Sequence, residues 1–356
     1  MFATIFLILG VIAGLFFPKS KILFILQGLY LFLVIGFRTH DLDHYVYQVE
    51  YNTAPLVYYK TADFPGWNLW MNFWYGKGIV FNQFLLIMSA VCVILLLTGI
   101  YNIGNKLGGY ISFALSMFLI YPFGHEATQM RTFFADTIIL LVLPFLLKNE
   151  QYIKRRIINY LIYFGAVGLA TTIHTIAYYF IVIGIVYIIF RSFKHELRTI
   201  IVGSILLIFL INSGIINNFI LRFLNTDKQD HWIANSNLSL GKLLPIMITI
   251  FVWVVATIEI KEISKNLNTE EQLYFINVQR FMNTMFLLLP FLTYDITFNR
   301  LWRIYLILFY LITGKYIYGM GLQINSKKVY IVGMFLVAII AVFVYENEIF
   351  VTGNVF

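Results

Sequence analysis

The chain has 356 residues, of which 60% are hydrophobic, 18% aromatic and only 12% charged, with a mean hydropathy of +0.82. A soluble domain is roughly 45–50% apolar and about 25% charged, so an aqueous core cannot hide this much apolar surface and lipid must be the solvent. The formal charge of +8 lies in short clusters beside apolar runs, which argues against a nucleic-acid partner.

In chain order, apolar runs of about 16–23 residues suit helices crossing a hydrocarbon core of about 30 Å. They lack the alternation of outer-membrane strands. The expected fold is all-α: a polytopic helical bundle of about twelve membrane spans in one domain, 1–356. Spans are placed near 2–17, 21–37, 79–101, 107–123, 132–147, 157–172, 175–190, 199–216, 242–258, 275–294, 304–320 and 329–345. The first run, "MFATIFLILGVIAGLFF", has no positive leader region and precedes "PKSK", so it reads as a span and not a cleaved signal. The long stretch 157–190 is split at "TTIHT". Cys92, the single cysteine, lies within a predicted helix and permits no intrachain disulfide or cysteine metal cluster.

Orientation follows from the lysines and arginines. About fourteen of the 25 fall in alternate connections, at Lys19 and Lys21, Lys106, Lys148 to Arg156, Arg191 to Arg198, Lys261 and Lys265, and Lys327 and Lys328. The positive-inside rule makes that face cytoplasmic. Both termini and two long loops, 38–78 and 217–241, are then external, together with most of the acids. Cytoplasmic connections are short and hold no Walker-type GxxxxGK[ST]. Any chemistry is therefore expected outside and independent of a nucleotide.

Ionisable residues interrupt apolar sequence near the outer helix ends, and such groups mark a site or pathway by default. Arg38 ends a helix and has a snorkelling interfacial arginine as its plain alternative. Asp41 and Asp43 follow it; Asp43 and Tyr47 share a helical face four residues apart, although an interfacial aromatic belt also accounts for the tyrosines. "HEATQMRTFFAD" offers Arg131 as a site residue, with an internal Arg131–Asp136 pair as the rival. His174 is suited either to helix packing by hydrogen bond or to general-base work near neutral pH. Arg300 and Arg303, three apart on one face, suit a diphosphate gripped by paired charge-assisted bonds. In "GWNLWMNFWYGKG", Trp67 and Trp70 offer either membrane-interface anchors or platforms for sugar rings. The cluster His40–Asp41–Asp43–His44 has no supporting zinc motif, and no metal or cofactor is expected.

Taken in order, these residues resemble the EpsG/Wzy family of bacterial polysaccharide polymerases. The resemblance rests on "PKSK", then Arg38, Asp43 and Tyr47; on "MRTFFADTIILLVLPFLLK" with Arg131 and "TTIHTIAYYF" with His174; and on "NRLWRIYLILFY" with Arg300 and Arg303. The family commonly has glutamine after the arginine and glycines before the acid, where this chain has Thr132 and "THDLD", which leaves Asp41 and Asp43 both open. The resemblance implies a multi-pass glycosyltransferase of the bacterial cytoplasmic (inner) membrane, GT-C-like in kind, with an external active face. It would polymerise undecaprenyl-diphosphate-linked oligosaccharide units for O antigen, capsule or exopolysaccharide. His174, Asp43 and Arg131 would be catalytic; Arg38, Asp41, Tyr47, Arg300, Arg303, Trp67 and Trp70 would bind substrate. Membrane lipids, a chain-length regulator and a flippase are the implied partners. A flippase or a ligase-type glycosyltransferase is the alternative.

Overall fold

The computed structural model describes residues 2–38, 42–57, 62–150, 152–191, 193, 195–213, 240–294 and 296–320, with 326, 329, 331 and 333. The described residues form helices and no strand. In chain order these are α1 Phe2–Phe16, α2 Lys21–Gly36, α3 Leu42–Thr53, α4 Pro65–Tyr75, α5 Phe81–Lys106, α6 Ile111–Ile120, α7 Phe123–Thr128 and α8 Met130–Leu147. There follow α9 Ile153–Thr171, α10 Ala177–Phe190, α11 Glu196–Asn212, α12 Leu240–Ser264, α13 Thr269–Asn283, α14 Leu289–Tyr294 and α15 Trp302–Gly319. Short 3-10 turns occupy Thr284–Leu288 and Ile296–Leu301.

This is a helical membrane protein. Among the described residues, four helices are long and apolar enough to cross a membrane: Phe81–Lys106, Met130–Leu147, Leu243–Ser264 and Thr269–Thr293. Shorter apolar helices cover Ile5–Phe16, Lys21–Gly36, Ile111–Ile120 and Ala177–Phe190. The outward faces of α2, α9 and α11 carry exposed Ile22, Ile25, Leu161, Leu206 and Phe209, the surface a lipid solvent permits. Every expected span up to 304–320 meets a helix, but the count of twelve crossings is not supported by length. Two expected spans are interrupted: 107–123 stops as a helix at Ile120 before Pro122, and 275–294 changes to a 3-10 turn at Thr284. The span 329–345 and the loop 217–241 fall largely or wholly outside the described residues.

The chain divides into two compact units, Met1–Ile181 with Tyr310–Phe356, and Val182–Phe309. In the first, α5 packs on α2 and α8, α8 on α9, and α1 on α6. At the α5–α8 contact, a Cβ on Gly99 would stand 2.9 Å from Leu140 Cγ, so only a hydrogen there allows this approach, as small residues commonly do between membrane helices. Polar bonds tie α1, α2 and α6: Gln27 Nε2 donates to Gly10 O (3.0 Å) and Ser116 Oγ (2.7 Å), and Ser112 Oγ donates to Gln27 Oε1 (3.2 Å). The expected loop 38–78 is largely helical. Its helices α3 and α4 bury Tyr47, Tyr51, Trp67 and Met71 against the bundle, so this segment is a packed cap.

In the second unit, α12 packs on α13, and α11 and α12 pack on α14. Helix α13 is started by Asn268, whose side chain accepts from Glu271 N at 2.9 Å. Glu270 and Glu271 in its first turn complement the positive end of the helix dipole.

Candidate functional site

The first unit gathers residues from five segments around Arg131. Helix α8 begins at Met130, so Arg131 stands in its first turn, where a cation gains nothing from the helix dipole. Its counter-ion comes from α3: Arg131 Nη1 donates to Glu50 Oε1 at 3.0 Å. The expected alternative, a pair with Asp136 in the same helix, is not the one formed. Glu50 is held in turn by the Trp67 indole, whose Nε1 donates to Oε2 at 3.3 Å.

Aromatic rings fix the guanidinium in place. Its carbon lies 4.4 Å from the Phe64 ring centre and 5.4 Å from that of Tyr47, both within cation–π reach. The Tyr47 hydroxyl accepts from Arg131 N at 3.4 Å. Burial pushes the Tyr47 phenol up, with Arg131 pulling down and Asp43 pushing up, so the ring is neutral at physiological pH. Asp43 is half-buried in the first turn of α3, one turn before Tyr47.

Arg38 comes to the same tyrosine from the end of α2, its guanidinium 5.9 Å from the Tyr47 ring centre. It is 4% exposed, and Nη1 donates to Ala127 O in α7. A snorkelling arginine keeps its head in water; this one is buried. Tyr47 thus lies between the two arginines, and the segment "HEATQMR" supplies a backbone acceptor to one and the other arginine itself.

His174 joins through Phe64, the two rings stacking at 5.7 Å and 17°. The stack is set by docking of α4 onto the α9–α10 connection, where Gly66 N and Trp67 N donate to Thr172 O at 2.9 and 3.4 Å. A Cβ at Gly66 would collide with the Thr172 side chain, which is why glycine stands at this point. His174 Nδ1 accepts from Ile176 N at 3.1 Å. A neutral imidazole held this way carries its proton on Nε2 and donates from there.

Other expected site residues lie differently. Trp67 is 2% exposed, edge-on to Tyr47 and Phe84, so it has no open face for a sugar and instead orients Glu50. Trp70 Nε1 points to Met88 Sδ at 2.7 Å, and its ring packs with Phe73, Trp74 and Phe134. Asp41 lies outside the described residues, as does His40 of the candidate metal cluster. Arg300 and Arg303 belong to the second unit, Arg300 in the Ile296–Leu301 turn and Arg303 2% exposed in the first turn of α15. The described residues hold no group of three or more His, Cys, Asp or Glu suited to a metal.

The EpsG family model matches residues 21–353, nearly the whole chain. The chain belongs to the EpsG family. This is a Wzy-like polysaccharide polymerase family, and membership supports a polymerase-type role. No curated protein and no solved structure matches the chain. In this EpsG-family chain the residues that sequence reasoning missed are Glu50 and Phe64. Glu50 is 81 residues from Arg131, and no local spacing signals the pair. Phe64 is one of 35 phenylalanines, and only its position between Arg131 and His174 sets it apart.

Proposed function

We propose that the protein is a membrane glycosyltransferase joining lipid-diphosphate-linked oligosaccharide units at the external face of the bacterial cytoplasmic membrane, with about twelve crossings. The observation that carries this reading is the state of Arg131. Its Nε is buried with no hydrogen-bond partner among the described residues, while Nη1 is held by Glu50 and the ring of Phe64 lies against the guanidinium. A buried unused donor on a fixed cation is costly unless something completes it. A diphosphate oxygen does so, and a second arginine, the buried Arg38, stands at the same tyrosine.

In the reaction, an acceptor sugar hydroxyl attacks the anomeric carbon of the donor glycan. The new glycosidic bond forms as the carbon–oxygen bond to undecaprenyl diphosphate breaks, and the hydroxyl proton passes to a base. Arg131 and Arg38 stabilise the negative charge of the leaving diphosphate, an electrostatic task that demands fixed donors. Asp43, with a half-buried carboxyl beside Tyr47, is the base. His174, whose Nδ1 is engaged by Ile176 N, donates from Nε2 and positions substrate. Arg300 and Arg303 are assigned to substrate binding on the family resemblance. Donor and acceptor are undecaprenyl-linked, and a flippase and a chain-length regulator act beside the enzyme.

Gene deletion followed by glycan gel analysis tests the reading. Lipid-linked chains that stop at one repeat unit support a polymerase. Loss of external lipid-linked units supports the flippase alternative and overturns the proposal.

A further inference from the structure

The second unit holds a cavity of about 550 Å3 where the start of α11 meets the last turns of α12 and the second half of α13. None of its lining residues belongs to the group around Arg131. Its size falls within the roughly 300–1,000 Å3 of small-ligand pockets.

A continuous polar network forms one wall. Arg280 Nε faces Glu196 Oε2 at 3.3 Å, and Asn283 Nδ2 donates to Glu196 Oε1 at 3.3 Å. Gln279 Nε2 donates to Thr257 Oγ1 (2.9 Å) and Asn283 Oδ1 (3.0 Å), and Trp253 Nε1 also donates to Asn283 Oδ1 (3.0 Å). Polar groups so concentrated among apolar helices are expensive and usually functional. The network is also unfinished: the acceptor Gln279 Oε1 is buried without a partner among the described residues.

The rim adds charge of one sign. Arg198 and Lys261 line the cavity and are exposed, and His195 stands beside them. Three cations, Arg198, Lys261 and Arg280, therefore line the cavity with one carboxylate, Glu196. Arg198 sits in the first turn of α11, where the helix dipole opposes a cation and favours an anion. Helix energetics thus gives no reason for Arg198, whereas an anion bound there would satisfy both it and the helix end. Glu196 in the meantime acts as an internal carboxylate for Arg280.

We propose that this cavity binds a phosphate-bearing anion held by Arg198, Lys261 and Arg280. The ligand is a soluble diphosphate-like compound or the headgroup of an anionic lipid, since both present the same oxygens to these donors. By the charge-based topology the cavity opens to the cytoplasm; the binding itself does not depend on that assignment.

The test uses the full-length protein carrying Arg131→Ala throughout, so that phosphate bound at the other group is not counted. In phosphatidylcholine nanodiscs, inorganic pyrophosphate is titrated by calorimetry. In a second arm, phosphatidylglycerol retained from mixed nanodiscs is measured by native mass spectrometry. Saturable binding of pyrophosphate identifies a soluble ligand; retention of phosphatidylglycerol without pyrophosphate binding identifies a lipid headgroup. In whichever arm binds, the double variant Arg198→Gln/Lys261→Gln weakens it at least tenfold with an unchanged melting temperature, since both side chains are exposed. No binding in either arm, or binding that the double variant leaves unchanged, overturns the proposal.

Discussion

Arg131 in the first turn of α8 and Glu50 in α3 form a 3.0 Å ion pair across 81 residues of sequence. It joins a helix of the bundle to the folded cap above it. The two side chains are 20% and 30% exposed, so solvent screens the pair and its contribution to stability is at most about 1 kcal/mol. Its importance is to hold a guanidinium in one orientation.

Arg131→Ala therefore abolishes long glycan chains while leaving protein in the membrane. Arg131→Lys keeps the charge but loses the planar fork, and activity falls about tenfold or more, the scale of one charge-assisted hydrogen bond. Glycan gels with membrane immunoblots check both. Normal chain lengths in Arg131→Ala would remove this residue from the reaction.

Glu50→Gln separates fold from function at the same pair. Because the pair adds little stability, the melting temperature in detergent stays within a few degrees, whereas polymer length shortens as Arg131 loses its anchor. A large drop in melting temperature with unaltered residual activity per folded molecule would make Glu50 a structural residue only.

Phe64 links Arg131 to His174 by ring contact. Phe64→Leu keeps apolar volume but removes the aromatic face, worth about 0.5–2 kcal/mol to a nearby cation. Turnover falls while Phe64→Tyr retains it. Equal activity of the two variants in a polymerisation assay would show that the ring face is irrelevant.

His174 distinguishes a donor from a base. With Nδ1 engaged by Ile176 N, the ring acts from Nε2 as a donor, so His174→Gln keeps part of the activity and His174→Ala loses it. The pH–rate profile of His174→Gln keeps its neutral-range shape. Complete loss in His174→Gln together with disappearance of a neutral-range limb would restore the general-base role.

Gly66→Val tests the docking of α4. The added side chain meets Thr172, where even a Cβ would collide with Oγ1. Overpacking of this kind costs about 1–3 kcal/mol, and the displaced helix carries Phe64 and Trp67 away from the site. Protease sensitivity near residues 62–66 rises and polymer length falls; wild-type behaviour in both would show that the dock is dispensable.

The amino-acid sequence by itself determined the solvent and the helices. Runs of apolar residues matched to lipid thickness are local properties, so α5, α8 and α12 were readable directly. Arg38, Tyr47, Arg131 and His174 were also readable as candidates, because a costly ionisable group beside apolar sequence stands out without knowledge of its neighbours. The helix end at Ile120 and the change to a 3-10 turn after Asn283 were less visible, since apolar composition continues through them while the backbone geometry changes. Only the tertiary structure decided the partners. It chose Glu50 over Asp136 for Arg131, covered the faces of Trp67, and placed Phe64 between an arginine and a histidine 43 residues apart in the chain. Such choices depend on which side chains arrive at one point when helices pack, and side-chain composition alone holds no record of that distance.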